Sequence, residues 1–390
     1  MKKFMKTTIV VASMAAMSSY ASENYGDTKV NFYGVLDMGV LSVDALGSAG
    51  NQKSLGIQSG IMTTSQLGII GTSQISAGHT LGFKFEGGAG MNDGSQVNLA
   101  TNGAQNTLFS REASMSYSGA IGTITVGRQK NPFAQTFIAG DARNWANIGT
   151  GNILFSDSSS FGGSATLKTG VGTLNGGTFT SNLIKYDSPT WKGFSTTAYM
   201  APGGYADNYD YGTAYGLNVK YNMDGVNVVA GTRQSYDKST GAKTADAQAL
   251  GGSYTFGKFK VGAGYGNMKN PSVASTTANS SFSLQELTGA YNASANLELS
   301  VGQYVLKDKV NTANQATITG VGAIYSLSKA TRLYAQYATS ENKGGMGMAA
   351  YGYGYANINS LAGSQANFPS VMSAAGKTQT AIAVGIQHRF

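Results

Sequence analysis

The sequence predicts an all-β protein, a closed antiparallel transmembrane β-barrel of sixteen strands. Three observations predict it. The 390-residue chain carries 54 Gly, 22 Tyr and 16 Phe but only 12% charged residues, about half the charged share of a soluble domain. No stretch after residue 21 is apolar for long enough to cross a bilayer as a helix. Alternation with a period of two recurs along the chain and runs to its last residue, as in strands that are apolar on one face only. A membrane barrel, whose lipid-facing and lumen-facing residues alternate, has all three properties.

Residues 1–21 read as an export signal. Lys2, Lys3 and Lys6 form a basic head, an apolar or small stretch follows to Met17, and Ser19-Tyr20-Ala21 is a small-x-small cleavage pattern. A mature chain over residues 22–390 is expected, with the formal net charge falling from +8 to about +5. The remaining basic residues are scattered rather than clustered, which argues against nucleic acid as a partner.

The first strand is expected over residues 29–43, with Val30, Phe32, Leu36, Met38 and Val40 on one face and Asn31, Tyr33 and Asp37 on the other. A polar loop over 46–60 leads to a second strand over 63–76. Ala77-Gly78 turns into 79–86, where Leu81, Phe83 and Phe85 alternate with Lys84 and Glu86. A second polar loop, 91–107, precedes a hairpin over 109–120 and 122–128. Residues 131–180 then lack sustained alternation. A structureless insertion of that length is uncommon in a compact domain and usually functional.

Strands resume at 182–188, 194–200, 213–222, 226–235, 247–256, 258–267, 282–292, 296–306, 316–327, 331–340 and 378–390. That makes sixteen, an even number, as a closed antiparallel barrel with both termini on one side requires. Short turns such as Asp224-Gly225 and Gly257-Lys258 alternate with longer polar loops, and all five prolines sit in loops or at strand ends. In the final strand Thr380, Ile382, Val384, Ile386, His388 and Phe390 share the apolar face. So bare a terminal edge would invite aggregation, so it is expected to close against the first strand. A β-helix or propeller would show a repeat of fixed length, and the chain has none.

Enzymatic chemistry finds little support. His79 and His388 are the only histidines, and neither has a Ser and Asp arrangement beside it in sequence. There is no Cys for nucleophilic or metal work, and no cofactor is expected. Gly262-Ala263-Gly264 lies inside a strand, where glycine relieves crowding rather than cradling phosphate. Lys84, Glu86, Lys220, Arg233, Lys258, Lys260, Glu298 and Arg332 alternate with apolar neighbours. Lys or Arg facing lipid at mid-membrane costs about 2–4 kcal/mol, so these are expected to face the lumen. Asp141, Arg143 and Asp157 are the candidates in the long stretch for shaping selectivity.

Phe32-Tyr33-Gly34-Val35-Leu36-Asp37, Ser65-Gln66-Leu67-Gly68, Val126-Gly127-Arg128-Gln129, Ile184-Lys185-Tyr186-Asp187-Ser188-Pro189, Tyr325-Ser326-Leu327-Ser328-Lys329, Leu333-Tyr334-Ala335-Gln336 and the terminal Gln387-His388-Arg389-Phe390 follow one another in order over the whole mature chain. Together they resemble the β-proteobacterial general porins, trimeric channels of the Gram-negative outer membrane. The resemblance implies a homotrimer set in outer-membrane lipid and lipopolysaccharide, passing small hydrophilic solutes and ions by passive diffusion. It implies that 131–180 is a third loop folded into the pore as its constriction, and that 91–107 holds a loop latching onto a neighbouring subunit. It implies that Phe390 is the signal read by the barrel-assembly machinery. A substrate-selective channel of the same fold, and a surface barrel serving adhesion, are the alternatives.

Two wall arginines usual in that family are replaced here by Gln66 and Phe179. Arg111 matches a third, although its parity groups it with Ala113, Met115 and Tyr117. The acidic, Pro-containing motif of the family's third loop is absent, and Asp141 and Asp157 are the only carboxylates in that stretch. Pore residues are therefore expected at Lys84, Glu86, Arg111, Asp141, Arg143, Asp157 and Arg233, with a weak preference for anions.

Overall fold

The computed structural model describes residues 28–46, 50–92, 94, 96–97, 108–150, 178–204, 206, 208–272, 280–352 and 373–390. The expected export signal over 1–21 lies outside them, as do 98–107 of the expected second loop and 151–177 of the expected third, Asp157 included.

The described strands form one antiparallel sheet that closes on itself. In chain order they are β1 (Thr28–Leu46), β2 (Gln52–Ser59), β3 (Gln66–Ser76), β4 (His79–Ala89), β5 (Gln96–Val97), β6 (Glu112–Gly119), β7 (Gly122–Lys130), β8 (Phe179–Asp187) and β9 (Phe194–Ala201). There follow β10 (Ala214–Met223), β11 (Val226–Tyr236), β12 (Lys243–Phe256), β13 (Phe259–Lys269), β14 (Ser281–Asn292), β15 (Leu297–Asp308), β16 (Gln315–Ser326), β17 (Thr331–Lys343) and β18 (Thr378–Arg389). Two of these are not separate staves of the wall. β2 and β3 lie end to end beside β1, and the two-residue β5 pairs with the end of β4 in line with β6. Sixteen staves remain.

Closure lies between β1 and β18, from Val35↔Arg389 to Val43↔Ala381. Phe390 continues the ladder: Gly34 N–H donates to its carbonyl at 3.0 Å, and its own N–H donates to the Gly34 carbonyl at 3.2 Å. In hydrocarbon no water can satisfy an open edge, so only a closed ladder is viable. The alternation has the expected sense. Val40, Ile382, Val384 and Ile386 face outward and are exposed, whereas Asp37, Leu41, Ala381, Ala383 and Gln387 face inward and are buried. On the outer face at the short-turn rim, Tyr254, Phe256, Phe259 and Tyr291 stack in a row with centroids 4.8–5.7 Å apart, an interfacial girdle.

The second stave departs from expectation. The stretch read as a polar loop over 46–60 contains β2, whose Leu55 and Ile57 point outward while Ser54 and Gln58 point inward. Eight residues flanked by Gly50 and Gly60 make too short a pattern to stand out in a polar context. Residues 60–65 leave the ladder and fold inward, burying Ile61 and Met62.

Gly34 lies beneath the terminal ring: a Cβ there would stand 2.5 Å from Phe390 Cζ. Gly34→Val is expected to unseat the ring and destabilise the barrel by about 1–3 kcal/mol, as overpacking does. Thermal unfolding of the assembled protein measures this, and an unchanged transition would show that the ring is not seated there.

Candidate functional site

The chain leaves β7 at Asn131 and turns into the barrel. The Asn131 side chain accepts the Phe133 N–H at 3.1 Å, capping a 3-10 turn that Pro132 opens, and α1 (Gln135–Gly140) follows. Proline suits this first position because its missing N–H has no partner there in any helix. Phe133 and Phe137 meet edge to face at 6.2 Å and pack among Tyr199, Ala247, Met268 and Leu284 of the inner wall.

α1 packs on the inner faces of β11–β14, and glycine makes the approach possible. A Cβ at Gly251 would overlap the Thr136 carbonyl oxygen, and one at Gly262 would overlap that of Gly140. The wall then supplies partners for a backbone that has left every ladder, as buried peptide groups require. Thr288 Oγ1 donates to the Gly140 carbonyl at 2.7 Å and accepts the Ala142 N–H at 2.9 Å. Asn218 Nδ2 donates to the Pro132 carbonyl at 2.6 Å, and Lys260 Nζ to the Asp141 carbonyl at 3.3 Å.

Asp141 and Arg143 face the wall and their own loop. Asp141 Oδ1 accepts Tyr304 O–H at 3.0 Å and the Arg143 N–H at 2.6 Å. The Arg143 guanidinium donates to the Ile148 and Gly149 carbonyls and, at 2.7 Å, to Gln336 Oε1. Both residues are buried. The segment then reaches the far side of the barrel. Asn147 donates through its N–H to the Met62 carbonyl at 3.1 Å and through Nδ2 to the Gly60 carbonyl at 2.7 Å. Ile148 bridges to Tyr351 of the last long loop. Residues 131–150 thus follow the inner wall from β10 round to β17 and β1.

The charged wall faces the other way. Glu86 accepts Arg111 Nε at 2.6 Å and Tyr33 O–H at 2.6 Å, with Lys84 Nζ 3.4 Å away. Lys84 also pairs with Glu112 at 2.7 Å. Lys185 and Lys220 flank Asp187 at 3.0 and 3.9 Å, and Lys130 stands opposite Phe179 in the β7–β8 register. This sector carries six cations, Lys84, Arg111, Arg128, Lys130, Lys185 and Lys220, against Glu86, Glu112 and Asp187.

The parity conflict at Arg111 resolves simply. The strand begins at Glu112, not at 109, so Arg111 lies in the preceding turn and swings inward to Glu86. Phe179, standing where the resemblance leads one to expect arginine, offers its ring to the Arg111 guanidinium at 4.8 Å, a cation–π contact. Gln66 likewise turns to Glu86, at 3.3 Å. Arg233, expected as a pore residue, is 4% exposed, lies beside Tyr199 and is flanked in register by Gly216 and Ala247. Asp157 lies outside the described residues.

Sequence reasoning passed over Glu112, Thr288, Asn147, Glu286 and the role of Asp37. Glu286 is buried beside Gly140 and Gly264, and neither carboxylate oxygen has a described partner. Its alternation with Leu287 was the available signal. Asn147 carried none, because its partners are made by chain that has left the ladder.

A family model described as Gram-negative porin matches residues 7–345. The chain is 27% identical over 402 residues to outer membrane porin protein 32 of Delftia acidovorans, covering 99% of this chain and 100% of that one. In fold it is similar to an anion-selective porin from Comamonas acidovorans, with a TM-score of 0.74 at 24% identity over 93% of this chain and 100% of the other. It is also similar to OmpT of Vibrio cholerae in a trimer form, with a TM-score of 0.60 at 16% identity over 93% and 99%.

Gly262→Val is expected to leave the barrel assembled but push α1 off the wall toward the axis, lowering single-channel conductance. The same conductance in an assembled variant would show that α1 does not rest on this strand.

Proposed function

The chain belongs to the Gram-negative porin family, and from that premise we propose how its channel discriminates among solutes. It is an outer-membrane porin, a water-filled barrel that small hydrophilic solutes and ions cross by passive diffusion. In our reading residues 131–150 form one side of the narrowest passage and the basic sector from Lys84 to Lys220 forms the other. The observation that carries this is the packing of α1 on β11–β14 within a closed wall, with six cations and three carboxylates in the basic sector.

A fixed field in a narrow low-dielectric passage attracts counter-ions. Salt screens charges beyond about 8 Å at physiological ionic strength, so residues at the passage decide the sign rather than the whole-chain charge. Burial of Asp141 and Arg143 among their own partners removes both from direct contact with solute, and Arg233 lies beneath the surface. The excess of Lys and Arg over carboxylates therefore favours anions weakly, since Glu86 and Glu112 offset much of the field. The described selectivity of the Comamonas relative points the same way. We further read the chain as a homotrimer, as one relative's trimer form suggests, that reaches outer-membrane lipid and lipopolysaccharide through the barrel-assembly machinery after loss of 1–21. Its transport needs no reaction and no cofactor.

Reconstitution in a planar bilayer tests the proposal. A reversal potential across a salt gradient is expected to show mild anion preference. Arg111→Ala, which leaves Glu86 without its nearest cation, is expected to move that potential toward cations. A cation preference in the wild type would overturn the sign, and absence of any ion current would favour the adhesin reading. Current that saturates with one solute would identify a substrate-selective channel.

A further inference from the structure

We propose that Asp37 is a positioning residue for the narrow passage, acting through the inward fold at 60–65 and Asn147 on the tip of the inserted segment. The inference rests on the porin reading and names what holds its constriction in place. Asp37 lies on β1 at the closing seam and is fully buried. A buried carboxylate is costly unless strong donors surround it. Oδ1 accepts the Ile61 N–H at 3.1 Å and Tyr334 O–H at 2.8 Å, with the Met62 N–H at 3.5 Å. Oδ2 accepts the Thr63 N–H at 3.0 Å and Gln387 Nε2 at 3.0 Å.

Two of these partners, Tyr334 and Gln387, belong to the wall. The others are backbone groups of the segment that left the ladder between β2 and β3. The carboxylate thus replaces the strand partners those amides gave up. The Asp37 backbone completes the clasp, with its N–H donating to Ser65 Oγ at 2.9 Å and its carbonyl accepting the Gly60 N–H at 2.8 Å.

The carbonyls of Gly60 and Met62 then point the other way, to Asn147. Each is held from one side by Asp37 and used from the other by the inserted segment. Ile148, next in the chain, is buried against Ile61, Leu41 and Val43. The last loop grips the same tip, as the Gly149 N–H donates to the Ala350 carbonyl at 3.0 Å and Gln379 Oε1 accepts the Ala350 N–H at 2.8 Å. Asp37 therefore orders the floor on which the tip rests.

Single-channel recording of Asp37→Asn, Asn147→Ala and the double variant tests this, using barrels whose assembly is verified by heat-resistant migration on a gel. Asn keeps the shape of Asp, but its amide nitrogen must meet donors on one side, leaving Ile61 or Thr63 N–H without an acceptor. A steady open current is expected of the wild type, and each single variant is expected to show fluctuating sublevels in its place. The double variant is expected to be no noisier than either. A role confined to barrel closure would lower heat resistance without altering the current, so a quiet current in assembled Asp37→Asn or in Asn147→Ala overturns the proposal, as do effects that add. Should Asp37→Asn fail to assemble, Thr63→Pro, which deletes an amide that Asp37 accepts, takes its place in the same comparison. Wild-type barrels without ionic current would instead fail the porin reading, before any variant is compared.

Discussion

A ladder that closes on itself has no free edge, and the rest of this structure follows from that constraint. The hydrocarbon demands that every wall N–H and C=O pair within the sheet, and the β1–β18 seam extends the pairing to Phe390. Such a wall cannot be narrowed by bending a stave inward without breaking bonds to both neighbours. The bore is narrowed instead by chain that has left the ladder, and this chain brings unpaired peptide groups with it. Thr288, Asn218, Arg143 and Asp37 supply the missing partners from inside the barrel. The lumen surface is accordingly of two kinds: a glycine-cleared seat on β12 and β13, and a charged face on β4, β6, β7, β8 and β10.

That division changes how charge should be read. Arg143 and Arg233 are formally cations inside the channel, yet one is spent on carbonyls of its own loop and the other lies beneath the surface. Glu86, by contrast, sits between Lys84 and Arg111 and offsets part of their charge. Where a buried group is paired to a neighbour, the neighbour as much as the residue type decides how much of its charge is left unpaired.

The strands were legible because lipid enforces their period: Ile382, Val384 and Ile386 must face out whatever else the sequence does. The long insertion after β7 was legible by its broken rhythm, and Lys84 and Glu86 by their alternation with phenylalanine. Other features were not. β2 is short and polar, and the inward turn after it runs against the rule that places Ile61 and Met62 in lipid. Arg111 looked misplaced because parity was counted from a strand that starts one residue later. Arg233 and Lys220 have the same pattern in sequence, and only neighbours from other strands, Tyr199 for the one and Asp187 for the other, separate the buried residue from the half-buried one. The part of Asp37 was hidden for a similar reason, since all four of its short bonds come from residues more than twenty positions away whose course no local pattern records.

The inserted segment is expected to stay against the wall and the last loop while the channel conducts. Ile148 and Tyr351 form an antiparallel bridge flanked by the Gly149–Ala350 and Gly352–Asn147 hydrogen bonds. Such facing pairs have Cα atoms about 4.5–5.5 Å apart, within the span a disulfide bridges. The chain has no Cys of its own, so an Ile148→Cys, Tyr351→Cys variant can be crosslinked without interference and its conductance recorded before and after reduction. The disulfide is expected to form readily, and its reduction to leave the open-channel conductance unchanged. Failure of the pair to crosslink in assembled barrels, or a bond whose reduction opens the channel, would contradict this.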